Sequence, residues 1–126
     1  TLNWNELIKN GNRQTYTSGK KMDQRLFGEF PRWKKMSRAN GKFEATDLGG
    51  GPKERLFFAD NYQNYWIVSY EHGGIGYHTH CFFVSIKENG SVISTDSYKG
   101  FKSLDELKTF TATNAIPVNP GSIYDY

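Results

Sequence analysis

The chain is poor in the residues that would cross-link it or anchor it in a membrane. It has one cysteine, Cys81, in 126 residues, which excludes an internal disulfide and favours neither an oxidising nor a reducing compartment. No apolar run approaches the roughly 20 residues that span a bilayer, and the amino end does not resemble a signal peptide. We therefore expect a soluble protein without a membrane partner, located in the cytoplasm or, after removal of a signal, in the periplasm or outside the cell.

The chain also lacks the short motifs that bind nucleotide phosphates or activate a serine. Its glycine-rich stretches, "GGGP" at 49–52 and "GGIG" at 73–76, match neither GxGxxG nor GxxxxGK[ST], and no serine lies in a GxSxG turn. We accordingly expect no bound cofactor, and zinc is the one alternative considered below.

The charge that is present is unevenly distributed. The net charge is +3, but residues 1–42 carry ten basic and three acidic residues, whereas residues 43–126 carry six basic and ten acidic ones. A basic first third can attract phosphates or an acidic protein. It can equally be a solvated helical surface that the acidic remainder of the same fold balances.

Helical signals lie at both ends of the chain. Asn3 and Glu6 have capping-box spacing before a short amphipathic helix that Gly11 ends. Residues 12–20 are predicted to form a loop, and Gly28 and Pro31 divide the following apolar stripe into two short helices, near 22–28 and 31–38. A second capping box begins a helix at residue 103, and the tail after it is predicted to be extended and held by Ile123 or Tyr124.

Between these helices the hydrophobic period changes to two, which is typical of strands. Short glycine- and asparagine-rich connections favour an antiparallel meander. We predict one α+β domain over residues 1–126, with a basic helical part (1–41), a four- to five-stranded antiparallel sheet (42–98), and a helix with an extended tail (103–126). The candidate strands are "KFEATDL" (42–48), "ERLFFAD" (54–60), "NYWIVSYEH" (64–72), "GYHTHCFFVSIKE" (76–88) and "SVISTDS" (91–97).

All three histidines of the chain lie in "YEHGGIGYHTH", residues 70–80. If Gly74 and Ile75 form a two-residue turn, Glu71 lies opposite His78 and Ser69 opposite His80. Directly opposed residues share a face of the sheet, so this register predicts that Glu71, His78 and His80 project together. A turn with an odd number of residues would separate Glu71 from the histidines.

This predicted cluster has three interpretations. In the first, Glu71, His78 and His80 are only the hydrogen-bonded polar tip of a hairpin. In the second, Glu71 is a base and His78 or His80 is an acid. With basic helices before an antiparallel sheet, this resembles the broad architecture of small microbial ribonucleases, which implies RNA as substrate; Arg55 is the only arginine in the strand region that is available for a phosphate. In the third, two imidazoles and one carboxylate hold zinc.

The function that we predict first is noncatalytic binding of another protein, as in small inhibitor or immunity-type proteins of bacteria, because none of the enzymatic patterns is specific. Aromatic residues at the hairpin tip are the side chains that commonly dominate protein interfaces, and basic residues of the first third would add charge. The predicted contacts are Tyr70, His72, Tyr77, Lys34, Lys35 and Arg38.

Overall fold

A five-stranded antiparallel sheet, with its strands in chain order from β1 to β5, organises the structure. The structure, a computed structural model, describes residues 3–46, 48–74, 76–97, 99–116 and 126. The strands are β1 (Gln14–Tyr16), β2 (Glu54–Tyr62), β3 (Tyr65–His72), β4 (His78–Ile86) and β5 (Val92–Ser97). The predicted α+β class with a helix after the last strand is confirmed.

The central strands bury side chains on both faces, as their near-continuous apolar sequences indicate. We call the face that carries Tyr70 and His72 the front face, and the face that carries Ser69 and Glu71 the back face. A β-bulge shifts the pairing of β2 with β3 between Leu56 and Phe58. Because of this bulge, Leu56 packs in the front core and Phe58 in the back core.

Two longer helices cover the back face. Helix α1 (Trp4–Asn10) begins at Asn3, whose side chain accepts a hydrogen bond from the Glu6 N–H, and helix α3 (Leu104–Thr111) begins at Ser103, which accepts one from Glu106. Both predicted N-caps are therefore confirmed. Side chains from both helices, with Phe101 and Ile116, form the back core.

The front face is covered by the segment between β1 and β2, which contains short helices. These are α2 (Leu26–Glu29) and two 3-10 turns, Gly19–Lys21 and Pro31–Lys35. The Phe30 and Trp33 rings stack 4.0 Å apart, and both side chains are fully buried against the sheet. Burial of each such side chain contributes roughly 1.5–3 kcal/mol, so the aromatic stripe is core, as its spacing predicts.

Two local predictions are wrong. Residues 42–48 form no strand where the structure describes them, whereas β1 lies inside the predicted loop 12–20. The physical reason is that the free edge of β2 is already occupied: β1 pairs with its second half, and Ser37 bridges to Arg55 in its first half. Ile123 and Tyr124 lie outside the described residues.

The helices of the described part of the chain are short. None of its helices is both long enough and apolar enough to cross a bilayer.

Candidate metal centre

The register of the β3–β4 hairpin determines which side chains meet. His72 pairs with His78, Tyr70 with His80, and Glu71 with Thr79. Five residues, 73–77, therefore separate the last pair, and the predicted register with a two-residue turn is wrong by one residue. A one-residue shift moves every side chain of a strand to the other face, so His72 replaces Glu71 beside His78 and His80.

Glu71 lies on the back face and has different partners. Arg55 donates two hydrogen bonds to its carboxylate, at 2.6 and 3.1 Å, and the Tyr77 hydroxyl donates a third at 2.9 Å. The hydrogen bond to Glu71 raises the pKa of Arg55. Glu71 is therefore part of an ion pair, and neither it nor Arg55 is placed to act with the histidines.

The three histidines converge on the front face at the loop end of the hairpin. The His72 and His78 ring centroids lie 4.6 Å apart, those of His78 and His80 lie 4.8 Å apart, and those of His72 and His80 lie 5.7 Å apart. One ring nitrogen from each lies within 4.8 Å of the other two. Closing this triangle around an ion with Zn–N bonds of about 2.0–2.1 Å requires each nitrogen to move by roughly 1 Å.

Hydrogen bonds at the other ring nitrogen orient two of the imidazoles. The Nδ1 atom of His80 lies 3.2 Å from the Asp96 carboxylate, and the Nδ1 atom of His78 lies 2.9 Å from the Gly76 carbonyl oxygen. Both partners can only accept, so Nδ1 is the donor in each bond, and Nε2 is the ring nitrogen that would bind a metal ion. Metal-binding histidines are commonly held in this way by a carboxylate or a carbonyl.

His80 is the most deeply buried of the three histidines. The residue is 6% exposed, and the Tyr70 and Phe82 rings flank it, with centroids 5.5 and 5.8 Å from its own. Its Nε2 atom is buried and has no hydrogen-bond partner among the described residues. A buried polar atom in this condition costs roughly 1–3 kcal/mol, which an ion bound at Nε2 would offset.

Residues 44–45 pack closely against the loop beside this cluster. A Cβ atom on Gly73 would clash with the Glu44 carbonyl oxygen, so only glycine allows residues 44–45 to approach this closely. The Gly73 N–H donates a hydrogen bond to the Lys53 carbonyl oxygen at 2.7 Å, and the Gly74 N–H donates one to the Ala45 carbonyl oxygen at 3.1 Å. Gly73 and Gly74 thus hold the segment that precedes β2 next to the histidine cluster.

An open cleft of about 610 Å³ lies over two of the histidines. Glu54, which pairs with His72 across β2 and β3, shares the front face with it and lies in the cleft. Sequence reasoning missed Glu54 and Asp96, because their approach depends on the bulge in β2 and on the register of β5. Charged and histidine side chains that line the cleft are Arg32, Lys35, Lys53, Glu54, His72 and His78.

The predicted protein contacts fall into different environments. Tyr70 is fully buried, and its hydroxyl donates to the Tyr126 carbonyl oxygen at 2.5 Å, so the prediction that it is a surface contact is wrong. It is wrong because Tyr70 faces the aromatic core beneath the short helices. His72 belongs to the histidine cluster, and Tyr77 is 51% exposed. Lys34, Lys35 and Arg38 are exposed.

Comparison of the chain with protein-family models, with curated proteins and with solved structures finds no match. The function of the site is therefore inferred from its geometry and chemistry.

Proposed function

We propose that the protein binds a divalent transition metal ion, with zinc as the best fit, through His72, His78 and His80. The observation that carries the proposal is the pair of environments at His80: Asp96 holds one ring nitrogen, and the other is buried without a partner among the described residues. Imidazole is a good ligand for zinc, copper, nickel and iron. All three residues lie on strands β3 and β4, and each ring nitrogen would move by roughly 1 Å to reach the ion.

The ligand set resembles an open metal site rather than a closed structural one. The close group contains three imidazoles and, among the described residues, no carboxylate or thiolate. Structural zinc sites usually have four protein ligands, whereas sites that bind substrate or water have three and leave one position open. The adjoining cleft gives that fourth position access to solvent.

The test is a titration of chelator-treated protein with Zn²⁺ by calorimetry and with Co²⁺ by visible absorption. We expect one ion per chain, and the intense d–d bands of four-coordinate Co²⁺. Replacing His72, His78 or His80 singly with Ala should lower the affinity more than 100-fold, beyond the 10- to 100-fold typical of second-shell changes.

Glu71→Gln is the control that separates this site from the one that the sequence predicts. It leaves the front face intact, so we expect the affinity for Co²⁺ to stay within about twofold of wild type, with far-UV circular dichroism confirming the fold. The proposal would be contradicted if the wild-type protein bound no metal ion. It would also be contradicted if the Glu71→Gln protein lost metal binding while the His72→Ala protein retained it.

RNA cleavage by Glu71 with a histidine has no support from this geometry, since the proposed base and acids lie on opposite faces of the sheet. Binding of another protein stays a prediction. Its support is that Tyr77, an aromatic residue at the hairpin tip, is half exposed, a position suited to an interface.

A further inference from the structure

The cleft beside the histidines is lined unevenly by charge. Arg32, Lys35 and Lys53 contribute positive charge, and Glu54 contributes negative charge. A metal ion on the histidines would add two more positive charges at the end of the cleft. Cationic groups around a concave surface concentrate anions there, so the electrostatics of the cleft favour an anionic ligand.

The three cationic side chains have different roles. The Lys53 ammonium group donates hydrogen bonds to the carbonyl oxygens of Thr46 and Gly49, so its main role is to hold the segment before β2 in place. The Arg32 guanidinium carbon lies 4.0 Å from the centre of the Tyr126 ring, a cation–π contact that holds it at the rim. Among the described residues, neither Arg32 nor Lys35 forms an ion pair with a carboxylate, so both charges can act on a ligand.

We infer that the fourth position of the metal binds an oxyanion of a small substrate, such as a phosphate or carboxylate group, and that Lys35 and Arg32 hold its remaining charge. This inference rests on the proposed metal site. One oxygen would bind the ion directly, as hard anionic oxygens bind zinc, and the cations at the rim would contact the others.

The experiment uses the full chain loaded with Co²⁺, titrated with inorganic phosphate and, separately, with acetate at constant ionic strength. Binding of either anion at the open position changes the energy and intensity of the Co²⁺ visible bands. The two probes share the oxyanion but differ in charge, so phosphate binding more tightly than acetate indicates a phosphorylated substrate, and the reverse indicates a carboxylate.

Lys35→Gln and Lys34→Gln are the matched variants. They remove the same charge from neighbouring exposed positions, but only Lys35 lines the cleft. We expect Lys35→Gln to raise the dissociation constant of the tighter anion roughly fivefold, as one charge a few ångströms away predicts. Lys34→Gln should change it by less than twofold, and both variants should still bind one Co²⁺ per chain, which calorimetry checks before the anion titration. Arg32→Gln should act as Lys35→Gln does.

The outcomes separate the inference from the proposal on which it rests. Co²⁺ binding without any spectral response to either anion, or equal effects of the two lysine variants, overturns the inference and leaves the metal site standing. Failure of the wild-type protein to bind Co²⁺ overturns both. The inference is supported if the Lys35→Gln and Arg32→Gln proteins bind the anion more weakly and the Lys34→Gln protein does not.

Discussion

Asp96 is the side chain on which the orientation of the deepest histidine depends. Its carboxylate accepts a hydrogen bond from the Nδ1 atom of His80, which leaves Nε2 as the ring nitrogen that would bind the ion. We predict that Asp96→Asn lowers the affinity for zinc about tenfold without abolishing binding, since second-shell changes typically cost 10- to 100-fold. The measurement is calorimetry against Asp105→Asn, which removes the same charge from an exposed position in α3. Equal affinities of the two variants would show that Asp96 has no positioning role.

Asp60 is a fully buried carboxylate that lies outside the proposed metal site. Thr15 donates to one of its oxygens at 2.6 Å, and the other oxygen is buried without a partner among the described residues. Burial raises the pKa of Asp60 above its ordinary value of 3.8. The folded state therefore favours the protonated acid: the stabilisation is fully present below the unfolded pKa and is lost as the pH rises through the folded pKa.

This sign gives a prediction for Asp60→Asn, because asparagine does not ionise. Relative to wild type, the free energy of unfolding of the variant should improve as the pH rises from about 3.5 to about 7, whatever constant offset the substitution introduces. Urea unfolding at several pH values measures the difference. If the variant instead loses stability relative to wild type over this range, the carboxylate is stabilised in its charged form and the assignment is wrong.

Among the secondary-structure elements, β3 is tied to the segment before α3 by one serine. The Ser69 hydroxyl donates to the Phe101 carbonyl oxygen and accepts from the Phe101 N–H, both at 2.7 Å, and both residues are buried. We predict that Ser69→Ala lowers the free energy of unfolding by roughly 1–3 kcal/mol per buried group left without a partner. Ser18→Ala is the control in urea unfolding, because Ser18 makes no capping hydrogen bond. If both variants lost a similar small amount of unfolding free energy, the Ser69 hydrogen bonds would contribute little to stability and the prediction would be wrong.

The β3–β4 hairpin shows why only part of the candidate site could be predicted from the sequence. The spacing of His78 and His80 places them on one face in any strand, and this is what the structure has. The partner across the ladder depends on whether the turn has an even or an odd number of residues. Glycines at 73, 74 and 76 permit either, and Gly74 and Gly76 both adopt positive φ. Apolar residues on both faces of β3 and β4 gave no pattern that would distinguish the registers.

At the scale of the whole molecule, the α+β class and the meander follow from the sequence because hydrophobic period and cap residues are local signals. The short strand β1 could not be predicted, since Gln14–Tyr16 is polar and gains its structure only by pairing with β2. The same limit applies to Asp96 and Glu54, which reach the histidine face through neighbouring strands. What the sequence leaves undetermined is therefore the contact between elements.

The whole fold supports one claim above the others: five strands and their aromatic core hold three imidazoles around a common point. Anomalous X-ray diffraction at the zinc edge, from a crystal of the zinc-loaded protein, tests it most directly. We predict one strong peak about 2.0–2.1 Å from a ring nitrogen of each of His72, His78 and His80, with a non-protein ligand in the fourth position. A zinc peak elsewhere on the chain, or none at the histidines under saturating zinc, would contradict the account.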